Sequence, residues 1–141
     1  MKWQLSGLAA VVILFAGVAS GDDKKELDRF QGEWVYVSSE KDGKKTPEEE
    51  LKGVVRTIKG DQYTLSKGDK VLARGTIKVD PSKKPATIDV MRSDGDRALL
   101  GIYEFDGDTQ KVCLAAPGKD RPREFSAKEG SGNTLTVWKK K

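Results

Sequence analysis

Short segments separated by turn signals dominate this chain and limit what it can fold into. Glycine–aspartate pairs at 60–61, 68–69, 95–96 and 107–108 interrupt segments in which apolar residues alternate with polar ones or form short runs. Such pairs favour tight hairpins, and a link this short joins only antiparallel neighbours. The spacing therefore predicts an antiparallel sheet whose strands are consecutive in the chain.

Eight segments have the length and apolar pattern of strands, and 124–128 is a candidate ninth piece. Closing such a sheet on itself removes its exposed edges. The predicted fold is therefore all-β, a small eight-stranded antiparallel up-and-down barrel, with a strongly coiled sandwich as the alternative. The eight predicted strands are 33–39, 54–58, 62–66, 71–79, 86–91, 98–105, 109–115 and 134–139.

The segment 71–79 shows the alternation most clearly. Its odd-numbered residues read Val, Ala, Gly, Ile, Val and its even-numbered residues read Leu, Arg, Thr, Lys. We therefore expect the odd face to be buried and the even face to be wet. Gly75 lies in mid-segment, as Gly101 does in 98–105, and glycine at such a place suits the sharp bends that close a barrel.

Two short helices are predicted beside the strands. The segment 22–30 has acidic residues in its first turn and apolar Leu27 and Phe30 three residues apart, so it should form an amphipathic helix that packs as a lid or plug. A second helix is expected at 47–51, with Thr46 as its cap, proline at its first position and Gly53 closing it.

The first twenty residues differ from the rest. Lys2 precedes a wholly apolar or glycine run at 8–19, and small residues at 17, 19 and 20 suit cleavage by signal peptidase. A membrane anchor is the alternative, but this run is shorter than the roughly 20 apolar residues of a spanning helix. We expect residues 1–20 to be a signal peptide and 21–141 one barrel domain, exported to the periplasm or secreted, with no stable membrane insertion after cleavage.

Charge and composition exclude several function classes. Cleavage after residue 20 removes one of the 26 basic residues and none of the 22 acidic ones, which leaves a net charge of +3. The lysines are scattered among acids without interleaved aromatics, so we expect no nucleic-acid partner. Cys113 is the only cysteine; a core residue is the expected reading and a reactive thiol the alternative, although the chain has no histidine to activate one.

Three short motifs have ordinary structural explanations. The Asp-Gly-Asp triplets at 94–96 and 106–108 lack the remaining ligands of a calcium loop and are expected to be hairpin turns. Ser38 and Lys41 match a Ser-x-x-Lys pattern, but that lysine precedes a wet turn. Gly118-Lys119 lacks the first glycine and the hydroxyl residue of a phosphate-binding loop.

Candidates for acid–base chemistry are correspondingly few. Asp89 and Glu104 are the only acids isolated in apolar segments, and both are expected to face solvent. Arg121 and Arg123 are candidate anion contacts in a proline-stiffened crossing between strands. We predict no catalytic residue, no metal site and no cofactor, so the protein is not expected to be an enzyme.

A helical turn followed by Gln31-Gly32-Glu33-Trp34 resembles the opening of lipocalin-like barrels. The resemblance implies that Gly32 admits the chain to the barrel, that Trp34 plugs its closed end, and that Lys139 or Lys140 lies over the indole ring. The second turn motif of ligand-carrying lipocalins, of threonine–aspartate–tyrosine type, is absent.

Nearly all of residues 21–141 resembles, more narrowly, the planctomycete lipocalin-like domain of unknown function. The resemblance implies a barrel but no activity. Besides the Trp34 segment, the residues that carry it are Val37-Ser38, Gly101-Ile102-Tyr103, Asp106-Gly107-Asp108, Lys111-Val112-Cys113-Leu114-Ala115, Arg121-Pro122-Arg123-Glu124-Phe125 and Leu135-Thr136-Val137-Trp138.

Two functions remain open, and an enzyme that depends on an acidic residue such as Glu104 is the third and weakest alternative. In the first, the barrel binds a small apolar ligand; the competing interpretation of the same side chains is a dry, filled core, because an eight-stranded barrel is just wide enough for either. In the second, the protein binds a partner of the cell envelope, such as an exported hydrolase that it inhibits, through loops at 41–50 and 117–123. The candidate ligand-binding residues are Trp34, Tyr36, Ile77, Ile88, Val90, Ile102 and Leu114.

Overall fold

The computed structural model describes residues 21–141, and the predicted signal peptide at 1–20 lies outside the described residues. Neither helix in that range is long and apolar enough to cross a membrane. The elements are α1 (Gly21–Phe30), β1 (Gly32–Lys41), β2 (Lys44–Lys45), α2 (Glu48–Leu51), β3 (Val54–Lys59), β4 (Gln62–Lys67), β5 (Lys70–Asp80), β6 (Ala86–Arg92), β7 (Leu99–Asp106), β8 (Thr109–Leu114) and β9 (Thr134–Lys140).

The strands form one antiparallel sheet that closes on itself. Each strand from β3 to β8 pairs with the next in sequence, β3 also pairs with β1, and β1 pairs with β9. Closure therefore involves eight strands, while the two-residue β2 extends the end of β1. The predicted eight-stranded antiparallel up-and-down barrel is confirmed, and the sandwich alternative is excluded.

The candidate ninth strand at 124–128 is wrong. These residues belong to the connection between β8 and β9, at 115–133, and pair with no strand. The carbonyl oxygen of Ser126 accepts bonds from the Cys113 thiol and the Asn133 side-chain amide. Ala127 is nevertheless buried. The apolar residues of this segment therefore cover the outside of the barrel instead of extending its sheet.

Two bulges interrupt the alternation of inward and outward residues. In β1 the register with β9 shifts between Tyr36 and Ser38, which leaves Val37 52% exposed. In β5 the register with β4 shifts at Leu72, and Val71 is 44% exposed. The expected burial of the odd face of 71–79 is confirmed at Ile77 and Val79, whereas Ala73 and Gly75 are half-buried. It is wrong at Val71, because the extra residue of a bulge turns the side chains beyond it.

The amphipathic helix α1 closes one end of the barrel, as predicted for a lid or plug. Phe30 at its end is fully buried. The Gln31 side-chain amide bonds both the carbonyl oxygen and the amide N–H of Gly60, in the turn between β3 and β4, at 2.9 and 2.7 Å. The chain that follows the helix is thus fastened to the rim of the barrel.

The second predicted helix forms, but its predicted cap is wrong. Pro47 occupies the N-cap position of α2, and no side chain caps the helix. The Thr46 amide instead donates to the Ser39 carbonyl oxygen at 2.8 Å, so this residue continues the pairing beside β1. Gly53 follows the helix with a φ of +82°, as expected for a glycine that ends a helix.

Gly75 and Gly101 lie where neighbouring strands come too close for a side chain. A Cβ atom on Gly75 would overlap the Met91 carbonyl oxygen of β6. One on Gly101 would lie 2.5 Å from the Cys113 carbonyl oxygen of β8. Both glycines therefore permit the tight curvature of the barrel wall, as predicted from their mid-strand positions.

Replacing Gly75 by alanine should lower the free energy of unfolding by about 1–3 kcal/mol, because strand β6 must move away from the new methyl group. Gly95→Ala is the matched control, since its Cβ would make only ordinary contacts, the nearest at 3.6 Å from the Arg92 Cβ. Urea denaturation of both variants measures the difference. Equal midpoints for the two variants would contradict the close packing of β5 on β6.

Candidate functional site

The barrel encloses a cavity of about 200 Å³. It extends from Phe30, the last residue of the plug helix, to Arg92, Leu99 and Thr134 at the strand ends away from that helix. Arg92 is exposed, so the cavity reaches the surface at the end away from α1. Most of its walls are hydrophobic side chains, as in sites that bind small molecules.

Five of the seven predicted ligand-binding residues line this cavity. They come from four strands that alternate inward and outward residues, as predicted. The five are Tyr36, Ile77, Ile88, Val90 and Leu114.

Ile102 does not line the cavity. Leu99 lines it from the same strand, and residues an odd number apart on a strand point to opposite faces. Ile102 is nevertheless only 1% exposed, because the 115–133 connection crosses the outer face there. Arg121 of that connection donates to the carbonyl oxygens of Gly101 and Ile88 at 2.8 and 3.2 Å.

Trp34 is buried but lies below the cavity, next to the plug helix. Its indole N–H donates to the Phe30 carbonyl oxygen at 2.7 Å. The Lys140 ammonium lies 4.9 Å from the centre of its ring and also donates to the Gln31 carbonyl oxygen. The plug role implied by the family resemblance is therefore consistent with this geometry, and Lys140, not Lys139, lies over the indole.

Three aromatic side chains, Trp34 among them, pack around a guanidinium group at the inner end of the cavity. Tyr36 and Trp138 are paired across β1 and β9, and their rings stack with centroids 4.0 Å apart. The Arg56 guanidinium carbon lies 4.4 Å from the Trp138 ring centre and 5.1 Å from that of Trp34. We call these four residues the aromatic–arginine stack.

Arg56 is the unusual member of the stack, because it is only 7% exposed. Its Nη2 donates to the Gln110 side-chain oxygen at 2.5 Å. Its Nε and the Gln110 side-chain nitrogen have no hydrogen-bond partner. None of the salt bridges formed by residues 21–141 includes Arg56.

Burial lowers the pKa of the Arg56 guanidinium to about 9, and the nearby Tyr36 hydroxyl acts weakly in the opposite direction. The group therefore keeps its positive charge at neutral pH, as arginine side chains do in proteins. Burial also raises the pKa of Tyr36, which stays neutral. The cavity thus has one buried positive charge in walls that are mostly apolar.

Arg56 was not among the predicted site residues, because charged side chains normally lie on the protein surface. A signal was present: Val54 and Ile58 are apolar and lie two residues on either side of it, so Arg56 shares their face of the strand. Both neighbours are buried. An arginine at an inward position of a predicted strand is the pattern that identifies such a residue.

Of the two anion contacts predicted from the sequence, Arg121 is bonded within the chain and Arg123 is exposed. Arg121 pairs with Asp89 at 2.8 Å in addition to its two carbonyl bonds, so it fastens the 115–133 connection to the barrel wall. Arg123 lines a shallow surface depression with Glu124. Glu104 pairs with Lys111 on the surface at 3.5 Å, as expected for an acid that faces solvent.

Cys113 is a core residue beneath the same connection. It is fully buried, and its Sγ donates to the Ser126 carbonyl oxygen at 3.4 Å. Burial raises the pKa of the thiol, so little thiolate forms at neutral pH. Across residues 21–141, no three His, Cys, Asp or Glu side chains are grouped so as to hold a metal ion.

Tyr103 joins the plug helix to the barrel wall. Its hydroxyl donates to the Glu26 carboxylate at 2.7 Å, and its ring packs edge-on against Phe30 with centroids 5.0 Å apart. Burial, reinforced by the hydrogen bond to Glu26, raises the pKa of Tyr103 well above its usual value. The closed end of the barrel therefore combines aromatic packing with one charge-assisted hydrogen bond.

Trp34→Ala should lower the free energy of unfolding by about 3–5 kcal/mol, because it removes a large buried side chain and leaves a cavity under the plug helix. Val37→Ala, on the same strand but exposed, should change it by less than about 0.5 kcal/mol. Urea denaturation followed by circular dichroism measures both. An unchanged midpoint for Trp34→Ala would show that the indole does not support the closed end.

Tyr103→Phe should make the loss of stability at alkaline pH less steep. Above a pH of about 10 the unfolded chain ionises its tyrosines, whereas folding keeps Tyr103 protonated. The unfolded state therefore binds fewer protons, and the free energy of unfolding falls as pH rises.

Tyr63→Phe is the control for this experiment. Burial raises the pKa of Tyr63 too, but the causes of that shift include no hydrogen bond to a carboxylate, so the profile should flatten less. Urea midpoints between pH 8 and 11 measure the slopes. Profiles for Tyr103→Phe and the unaltered protein that run parallel above pH 10 would contradict the bond to Glu26.

Comparison with known proteins leaves the interpretation to the geometry. No protein-family model, no curated protein and no solved structure matches this chain. The observed barrel is compatible with a lipocalin-like fold. What the protein does has to be argued from the cavity and the residues around it.

Proposed function

We propose that the protein binds one small, largely apolar molecule in the barrel cavity. The observation that supports this is the cavity itself: about 200 Å³ of space remains between the inward side chains, although close packing normally fills a protein interior. An apolar cavity of about 150 Å³ accommodates a benzene molecule. A molecule of one ring or a short aliphatic chain therefore suits this one.

The access route favours binding over a purely structural void. The cavity reaches the surface at the end away from α1, among residues such as Leu99 and Thr134. The opposite end is closed by the plug helix and Trp34. A ligand would therefore enter from one side, with its inner end facing the aromatic–arginine stack.

We also propose a family and a cellular location for the protein. The barrel, the plugging tryptophan and the lysine over its ring support a lipocalin-like protein, of the kind that the planctomycete domain of unknown function represents. The features of residues 1–20 support export by a cleaved signal peptide, to the periplasm or the exterior. Binding without catalysis is the proposed role, since the cavity walls carry no carboxylate or thiol.

A protein-binding role in the cell envelope is the second candidate. The segment at 41–50 supports it, because most of its residues are exposed. The other loop considered, 117–123, supports it less, since Arg121 is committed to Asp89 and to two backbone carbonyls. We therefore rank ligand binding first.

Titration with toluene and 1-octanol, followed by tryptophan fluorescence, tests the proposed function. Trp138 lines the cavity, so an occupant should change its emission in a saturable manner. Val90→Phe, which fills part of the cavity, should weaken binding about tenfold or more by removing space for the ligand. Met91→Phe is the matched control. Met91 follows Val90 in the same strand, but its side chain is exposed, so binding should be unchanged.

A folded protein that shows no saturable change with either probe would contradict ligand binding. Equal effects of Val90→Phe and Met91→Phe would place the binding outside the cavity and contradict it as well. Either result, combined with a stable complex between an envelope protein and the segment at 41–50, would favour the second candidate.

A further inference from the structure

We propose that the ligand is an amphipathic anion, a monocarboxylate with a compact apolar tail, whose carboxylate binds Arg56 at the inner end of the cavity, where Gln110 is bonded to that arginine. The inference rests on the proposed function and specifies the chemical class of the ligand. It depends on the charges and hydrogen-bond donors of the aromatic–arginine stack.

The Arg56 guanidinium is a buried cation. Removing a cation from water is costly unless a counter-charge and hydrogen bonds replace its hydration. Arg56 has two aromatic faces and one amide oxygen, but no carboxylate. Cation–π contacts recover only part of the cost. The barrel interior therefore holds a positive charge that no carboxylate of residues 21–141 compensates.

Two hydrogen-bond donors next to this charge have no acceptor. The Gln110 side-chain oxygen accepts the bond from Arg56, so its side-chain nitrogen takes no part in that contact. That nitrogen and the Arg56 Nε are both buried without a partner. Unpartnered donors beside a positive charge favour an anionic acceptor, and a carboxylate supplies two acceptor oxygens with the opposite charge.

The rest of the cavity is mostly apolar. Beyond the stack its walls include Ile77, Ile88, Val90 and Leu114, which offer apolar contact and no further buried charge. Arg92 at the surface end is already paired with Asp94 at 2.9 and 3.1 Å. An anionic head at Arg56 with a tail towards Leu99 satisfies both regions, and the small volume limits the tail to a short chain or a single ring.

Three probes with one tail and different heads test the inference: octanoate, 1-octanol and octylamine, titrated at neutral pH by calorimetry and tryptophan fluorescence. Octanoate should bind about 10- to 100-fold more tightly than 1-octanol, the range expected for hydrogen bonds to a charged group. Octylamine should bind more weakly than 1-octanol, because its ammonium would approach the guanidinium.

Two variants at the site separate charge from shape. Arg56→Met should abolish the preference for octanoate and leave the affinity for 1-octanol within about threefold, since the apolar walls remain. Gln110→Glu places a carboxylate beside Arg56 and should abolish the preference too, while giving the buried cation a partner that supports folding. Arg74→Met removes an exposed arginine and should change neither affinity.

Each outcome decides between the proposals. Equal affinities for octanoate and 1-octanol would overturn the anionic ligand and leave the proposed function intact. A preference for octanoate that survives in folded Gln110→Glu would overturn it as well. Absence of binding by all three probes would overturn the proposed function itself. If Arg56→Met does not fold, Gln110→Glu alone decides.

Discussion

β1 and β9 pair with each other from Trp34–Lys140 to Lys41–Thr134. This seam joins strands near the two ends of the described chain and converts the series of hairpins into a barrel. Closure leaves each of the eight strands with two neighbours, so the backbone has no long unpaired edge. It also creates an interior that the inward side chains must either fill or leave open.

The same seam builds the aromatic–arginine stack. Its register places Tyr36 opposite Trp138, where the two rings stack, and places Trp34 opposite Lys140. On the other side of Trp34, β3 contributes Arg56 at the paired position. The indole of Trp34 therefore lies between two cations because of strand pairing, and the binding features of the cavity depend on the closure that supports the fold.

A buried arginine without an acid is more easily explained by function than by stability. Well-packed apolar residues in place of buried charges often leave stability unchanged or increase it. Sites that bind ligands commonly retain groups that cost stability in the empty protein. The close contact of Arg56 with two indoles and Gln110 restricts the guanidinium, and such pre-organisation would favour the proposed anion.

Much of the architecture was predictable from local patterns. Alternation and turn dipeptides indicate all eight barrel strands, and the spacing of Leu27 and Phe30 indicates the plug helix. The bulges at Val37 and Leu72 were not predictable, because no glycine or proline stands at either position to indicate an extra residue. The outward position of Ile102 was not predictable either, since the 115–133 connection buries the outer face of β7.

The site was predictable only in its apolar part. Five of the candidate residues line the cavity because period-two alternation sorts them inward. Arg56 was not predicted, because only apolar residues were assigned to the inward face. Its partner Gln110 lies on a strand far away in sequence. Their contact depends on the closure of the barrel, which brings β3 and β8 to face each other across the interior.

Residue-resolved amide hydrogen exchange, measured by NMR, tests the closed barrel most directly. The account predicts that hydrogen-bonded amides of β1 and β9 around Tyr36 and Trp138 exchange as slowly as those of the β6–β7 pair, because both pairs lie inside one cooperative sheet. Fast exchange along β1 and β9, at the rates of exposed strand edges, would contradict the closed seam and the binding site built on it.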